Sequence, residues 1–307
     1  MFFCILFLLV SETTFTNSQT FSGSSIDVFK CNFLSCSSSS EGGALSINQA
    51  TSVITLKYCY FYLCSSSVSN GAIVITGLNA KVMNSCFLRC IATRSSAGTV
   101  TSSTSESKYC TITKCSPAEN PTTNVPYYFY TGVQIISNIN TTESVASHHS
   151  GLHQNMLDNV YTTHINVINH RMTEFVYGFN NVKVSTYTAY VNIINNTASL
   201  GLVYLGTLSN ANMSFFVFKD NTGPLTSVST KYLGSGFFYQ SSFDQSIPTT
   251  GLYVTQTIQC NMGVTVAPLY LDLIRIEYCQ NGFIYATKSF NNLRVLKQLI
   301  ILMFICQ

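Results

Sequence analysis

The motif Phe-x-x-Cys recurs three times in the first third of this chain: Phe33 with Cys36, Phe61 with Cys64, and Phe87 with Cys90. A fourth copy, Ile112 with Cys115, keeps the cysteine and replaces the aromatic residue. The spacing between copies is nearly constant. Self-similarity at a period of 20–50 residues is the mark of a solenoid or propeller, in which one supersecondary unit stacks on the next. A second cysteine lies two places before the aromatic position, at Cys31, Cys59 and Cys110; the third copy departs, with Ser85 there and Cys86 one place late. After each of the first three motifs comes a serine-rich stretch and then glycine, at Gly42-Gly43-Ala44-Leu45, Asn70-Gly71-Ala72-Ile73 and Ala97-Gly98-Thr99-Val100.

Alignment on these anchors yields apolar columns. Ile26, Ile54 and Ala80 share one register, Val28, Leu56 and Val82 another, and Leu45, Ile73 and Val100 a third. Within each copy apolar residues alternate with polar ones, so the segments read as strands with one face inward. Several short strands in a period of roughly 27 residues make one coil of a parallel β-helix, each residue lying about 4.8 Å above its counterpart. Later segments keep the pattern faintly. Gly201-Leu202-Val203-Tyr204 and Gly282-Phe283-Ile284-Tyr285 lie three such steps apart, Phe175-Val176-Tyr177 precedes the first by one step, and Gly236-Phe237-Phe238-Tyr239 falls out of step. The expectation is an all-β solenoid, a right-handed parallel β-helix of about ten coils over residues 20–295, with loop insertions near 116–130, where prolines cluster, and 140–160, which is polar and rich in histidine.

Composition narrows the function. Charged residues make up 9% of the 307, the net charge is only +3, and 46% of the chain is hydrophobic. A nucleic-acid reader needs a dense basic face, which isolated Lys and Arg residues do not form, and charge-driven disorder is excluded by the apolar content. Ser, Thr and Asn, roughly a third of the residues, must supply the polar surface. Residues 2–10 are an apolar run of signal-peptide length, too short to span a bilayer. The segment 1–19 is therefore expected to be a secretory leader, with an internal strand as the alternative. Residues 299–306 are apolar as well. The segment 296–307 reads as a last strand or as an anchor cut short, the latter implying membrane association through an incomplete C-terminal anchor. Sequons at Asn140, Asn195 and Asn212 agree with secretion but arise easily in such a chain.

Of the 12 cysteines, Cys31, Cys36, Cys59, Cys64, Cys86, Cys90, Cys110 and Cys115 fall in the repeat. Coil neighbours at ~4.8 Å lie inside the Cα range of a disulfide, and pairs within one coil, such as Cys31 with Cys36, are an alternative. A buried stack of free thiols fits equally well, because cysteine is small and apolar. The five histidines, His148, His149, His153, His164 and His170, crowd into one stretch. His149 and His153 on one helical turn would present two imidazoles to a metal; a polar surface loop is the plainer account, and no metal or cofactor is expected. Asp220, Asp244 and Asp272 follow one another at close to the coil period. They would stack as an acidic column, the arrangement a β-helical polysaccharide lyase or glycosidase needs; isolated solvated carboxylates are the plainer account here. The run Tyr127-Tyr128-Phe129-Tyr130 suits either sugar stacking or core packing.

The combination of Gly-Gly-Ala-Leu with Phe-x-x-Cys resembles the repeat of the polymorphic outer-membrane-protein family of surface adhesins, in the cysteine-bearing form found in trichomonad surface proteins. That repeat carries Gly-Gly-Ala-Ile and Phe-x-x-Asn. Phe33, Phe61 and Phe87 match its aromatic position and Gly42-Gly43-Ala44 its glycines, while Cys36, Cys64, Cys90 and Cys115 stand where Asn is more usual. The match covers residues 26–115 clearly and the remainder faintly. It implies a right-handed β-helix on a cell surface, binding a host surface protein or glycan, without catalysis. The rival expectation is a pectin-lyase-like carbohydrate-active enzyme using the Asp220, Asp244 and Asp272 column.

Overall fold

The computed structural model describes residues 7–117, 126–146, 148–155, 158–171, 173–182, 185–207, 211–228, 236–244, 256–263, 267–269, 271 and 279. Its strands pair in parallel throughout, and the chain is a β-solenoid. Ser25 lies opposite Val53, Val53 opposite Asn79 and Asn79 opposite Thr104, so the coil shortens slightly from each turn to the next. Among the described residues no helix is long and apolar enough to cross a membrane.

One coil shows how sequence makes the shape. Leu45–Lys57 is a single long strand that bends midway, so its first half builds one face and its second half another. Along the second half Ile54 and Leu56 point inward and are buried, while Thr55 and Lys57 between them are not. Tyr58 then adopts a left-handed backbone, φ 58°, and turns the chain into the short strand Tyr60–Tyr62. Leu63, φ 51°, turns it again toward Ser65–Ser66. Both turns recur along the stack. Lys30, Tyr58, Asn84, Tyr109, Asn138, His164, Tyr190, Phe215, Gln240 and Gln259 make the first corner, and Ser35, Leu63, Arg89, Lys114, Glu143, Asn169, Asn195 and Asp220 the second. Bulky residues rarely adopt positive φ because Cβ crowds the following carbonyl. Here the cost is offset because the corner amide donates to the next coil, as Lys30 does to the Lys57 carbonyl at 2.9 Å and Leu63 to that of Leu88 at 3.1 Å.

The interior is a file of stacked side chains. Phe15, Phe33, Phe61 and Phe87 lie in register, and the Phe33–Phe61 and Phe61–Phe87 rings are 4.7 and 4.9 Å apart and nearly parallel. Ile112, Thr141, Val167, Ile193, Phe218 and Phe243 continue the same file. The aliphatic columns through Ile26 and Val28 hold as read.

Four expectations need correction. Gly98 is not the counterpart of Gly71: it lies opposite Ile73, and Val100 lies opposite Ile75, a slip of two places from the alignment on glycine. The stretch 140–160 is no excursion, for Val133–Thr142, His149–Asn155 and Asn159–Ile168 are rungs of the ladder whose polar residues lie both outside and in the lumen. The insertion at 116–130 is shorter than expected, since Ser116–Pro117 pairs with Ile91–Ala92 and Tyr127–Tyr130 pairs with Gly98 to Thr101; only 118–125 falls outside the described residues there. The coil count differs from ten: the stack does not run evenly from 20 to 295. Among the described residues the first rung is Phe7–Ser11, which lies inside the segment read as a leader and pairs with Ser25–Phe29, and the coils are shorter again where Phe237 lies opposite Gln256. Gly236–Tyr239 is out of step as expected, lying over Ala211 to Ser214 and not over Gly201. The tail 296–307 and the Gly282 copy lie outside the described residues.

Candidate interaction surface

The residue after each corner points into the lumen, and its job can be read from its partners. At the second corner the column is Cys36, Cys64, Cys90, Cys115, Ser144, His170, Asn196, Asn221. Cys64, Cys90 and Cys115 direct Sγ at the carbonyls of Phe33, Phe61 and Phe87 in the preceding coil, at 3.4, 3.8 and 3.5 Å. Asn196 and Asn221 donate to the equivalent carbonyls of Val167 and Ile193 at 2.9 and 2.7 Å. The first corner uses Cys31, Cys59 and Cys110 in the same way, toward Val10, Val28 and Val82. A thiol is a weak donor, but a buried carbonyl without a partner is costlier than one with a weak partner.

These seven cysteines are therefore free thiols, not coil-to-coil disulfides. Burial pushes Cys110 up to about 11, so the reactive thiolate is suppressed. Cys86, the copy displaced by one position, faces outward and bonds Cys279, a pairing the sequence did not suggest.

His170 occupies the same column as the cysteines. It is fully buried, with Nε2 3.0 Å from the Thr141 carbonyl and Nδ1 3.1 Å from that of Ser144. Burial lowers its pKa to about 4 and that of His153 to about 3, below the ordinary ~6.5. The unfolded chain therefore binds more protons between about pH 6.5 and 4. Stability is full above that window and falls as pH drops through it, by about 1.4 kcal/mol per unit for each such histidine. His170→Asn, which places the residue found at 196 and 221, should fold and show a shallower acid limb in denaturant titrations from about pH 7 to 4. An unchanged slope would remove His170 from this role.

The other expected groups are dispersed. His149 and His153 share a strand, not a helical turn, which sets their backbones about 13 Å apart. His148 pairs with Glu174, and His164 lies at an exterior corner. Among the described residues no three His, Cys, Asp or Glu converge as a metal-binding set. Asp220 and Asp244 do meet on adjacent coils, where the Asp244 carboxylate accepts the Asp220 amide; Asp272 lies outside the described residues. Asn195 and Asn212 are exposed, whereas Asn140 is only 5% exposed and its amide cannot carry a glycan in the folded chain. Tyr127 and Phe129 are core residues, and Tyr128 and Tyr130 are half-buried between coils.

What the structure gathers on its outside is a different aromatic set. Ile135, Tyr161 and Tyr187 stack in register on three successive coils, and the two tyrosines are 49% and 46% exposed. Beside them, at the first corner, His164, Tyr190 and Phe215 form a second file. Its rings are 5.0 and 4.8 Å apart and nearly parallel. Asn212, the exposed sequon residue, is the next member of the Tyr187 column. The two files run along the same side of the stack at coil spacing, with the Thr163 column between them, and the stacked rings of the second file present their edges outward. Exposed apolar patches on soluble proteins mark contact sites. The signal was present in the sequence as Tyr161 and Tyr187, one coil period apart, but needed the correct register to be seen. Searches against protein-family models, curated proteins and solved structures return no match to this chain.

Proposed function

We propose that this protein is a secreted or surface-displayed β-helical interaction protein of the adhesin type, and that its work is attachment, not catalysis. The observation that carries the reading is the double aromatic file of Ile135, Tyr161 and Tyr187 beside His164, Tyr190 and Phe215. Exposed tyrosine rings held at fixed spacing on a rigid stack offer partly apolar contact area with a polar hydroxyl to sugar rings or to a protein surface. A solenoid presents them without a loop to order on binding, which lowers the entropic cost of association. The partner is a glycan or a protein displayed on a host surface.

The test is binding of the full chain to a panel of immobilised glycans and to intact cells. The Tyr161→Ala/Tyr187→Ala variant should lose affinity by about 100-fold, two contacts of ~1.4 kcal/mol each, while its thermal stability stays near wild type because both side chains are exposed. Equal binding by the variant and the wild type, or no binding by either, would overturn the reading.

A further inference from the structure

On the strand that follows the first corner, outward side chains ought to meet solvent. They do not. Tyr60, Cys86, Leu88, Thr111, Thr113, Asn140, Thr142, Asn192 and Val217 all point away from the lumen, yet each is buried. Tyr60, Cys86 and Leu88 form an apolar cluster outside the core, flanked by Leu34 and Tyr62, and Cys279 belongs to it. A second described point of the chain beyond the last rung also lands on this face. Asn192 accepts the Leu269 amide at 2.8 Å and donates to the Leu269 carbonyl at 2.9 Å, gripping one residue's backbone on both sides. Asn192 also donates to Asn166 on the coil before it, at 2.8 Å.

We infer that this face is a docking surface for a polypeptide segment and that its occupant is the protein's own segment 267–279. The column under it reads Cys86, Thr111, Asn140, Asn166, Asn192, each directly over the last. That is four steps, about 19 Å at the inter-strand spacing, a distance that the chain between Leu269 and Cys279 covers with slack. Two described points of the segment are thus fixed on this face, Leu269 at Asn192 by its backbone and Cys279 at Cys86 by a covalent bond. Midway, the side-chain oxygen of Asn140 is buried and has no partner among the described groups. It is a second acceptor aimed at the same surface, so the asparagine file offers amide groups to a backbone and the Tyr60 cluster offers an apolar seat. The column itself carries no charge, and Leu269 and Leu271 are half-buried.

The experiment uses the full chain with Cys279→Ser, so that Cys86 is a thiol and only non-covalent docking protects it. Alkylation of Cys86 by iodoacetamide is followed by peptide mass spectrometry. It should be at least tenfold slower than in a chain that also has residues 267–280 scrambled. Adding Asn192→Ala to Cys279→Ser should speed alkylation about tenfold, with circular dichroism confirming an intact solenoid. A synthetic peptide of residues 266–281 bearing the same Ser should restore protection to the scrambled chain, and a scrambled peptide should not. Equal alkylation rates in native-segment and scrambled chains, or failure of the native peptide at millimolar concentration to protect, would overturn the inference. So would protection that rises with protein concentration, because the occupant would then be a second copy's segment.

Discussion

Phe61→Ala should lower stability by about 3–5 kcal/mol, the range for deleting a fully buried phenylalanine. Phe61 has no exposed surface and lies parallel between Phe33 and Phe87, so its loss opens a void that two rings border and neither can fill without leaving its own coil. Equilibrium denaturation of the full chain measures the loss. The stack makes a sharper forecast about pairs. Phe33 touches Phe61, whereas Phe218 is several coils away. Phe33→Ala combined with Phe61→Ala should therefore be non-additive by more than ~0.5 kcal/mol, and Phe218→Ala combined with Phe61→Ala should add within that margin. Coupling of the distant pair as strong as that of the near one would contradict a solenoid in which each coil feels only its neighbours.

The second large effect is expected at Gly43. A methyl group there would overlap the carbonyl oxygens of Gly71 and Ser65, both backbone atoms of the next coil that cannot rotate away. Relief requires separating coils joined by the bond from the Gly43 amide to the Asn70 carbonyl at 2.9 Å. Gly43→Ala should cost about 3 kcal/mol or more, the upper end for overpacking. Gly263 is the control: it has φ 66° but nothing within 4 Å of the added carbon, so Gly263→Ala should cost only the left-handed backbone penalty, about 1 kcal/mol. Similar midpoint shifts for the two variants would show that close coil approach is not what demands glycine at 43.

The Phe and Cys repeat was enough to read the fold from the sequence, because large rings and thiols can be recognised as recurring even when their surroundings vary. Its continuation was hidden by chemistry that differs while the role stays the same. Ser144, His170, Asn196 and Asn221 take the cysteine's place, and Ile112, Thr141, Val167 and Ile193 the phenylalanine's. What the position requires is a small or planar donor for a carbonyl, not a particular residue type. Phe218 with Asn221 is in fact a Phe-x-x-Asn copy in this register. Aligning on glycine failed at Gly98 for a related reason: Ser96, not a glycine, faces the close approach of Gly71. The polar, histidine-rich stretch was misjudged as a loop because its inward Gln154 is satisfied in the lumen by Gln134, Thr162 and Tyr177 on neighbouring rungs, so polarity there did not signal solvent. The corner residues gave no warning, since Tyr58, Leu63 and Phe215 are poor sequence markers of positive φ. The bond between Cys86 and Cys279 joins partners 193 positions apart with no local signal.

That bond changes how the molecule would respond to a pull. A linear stack with free ends peels coil by coil from whichever end is drawn. Here, tension applied between a point before Cys86 and a point after Cys279 passes directly from sulfur to sulfur and skips the coils between them. Only the first few coils lie on the load path, so the aromatic files of Tyr161, Tyr187 and Tyr190 would keep their spacing while the tether strains.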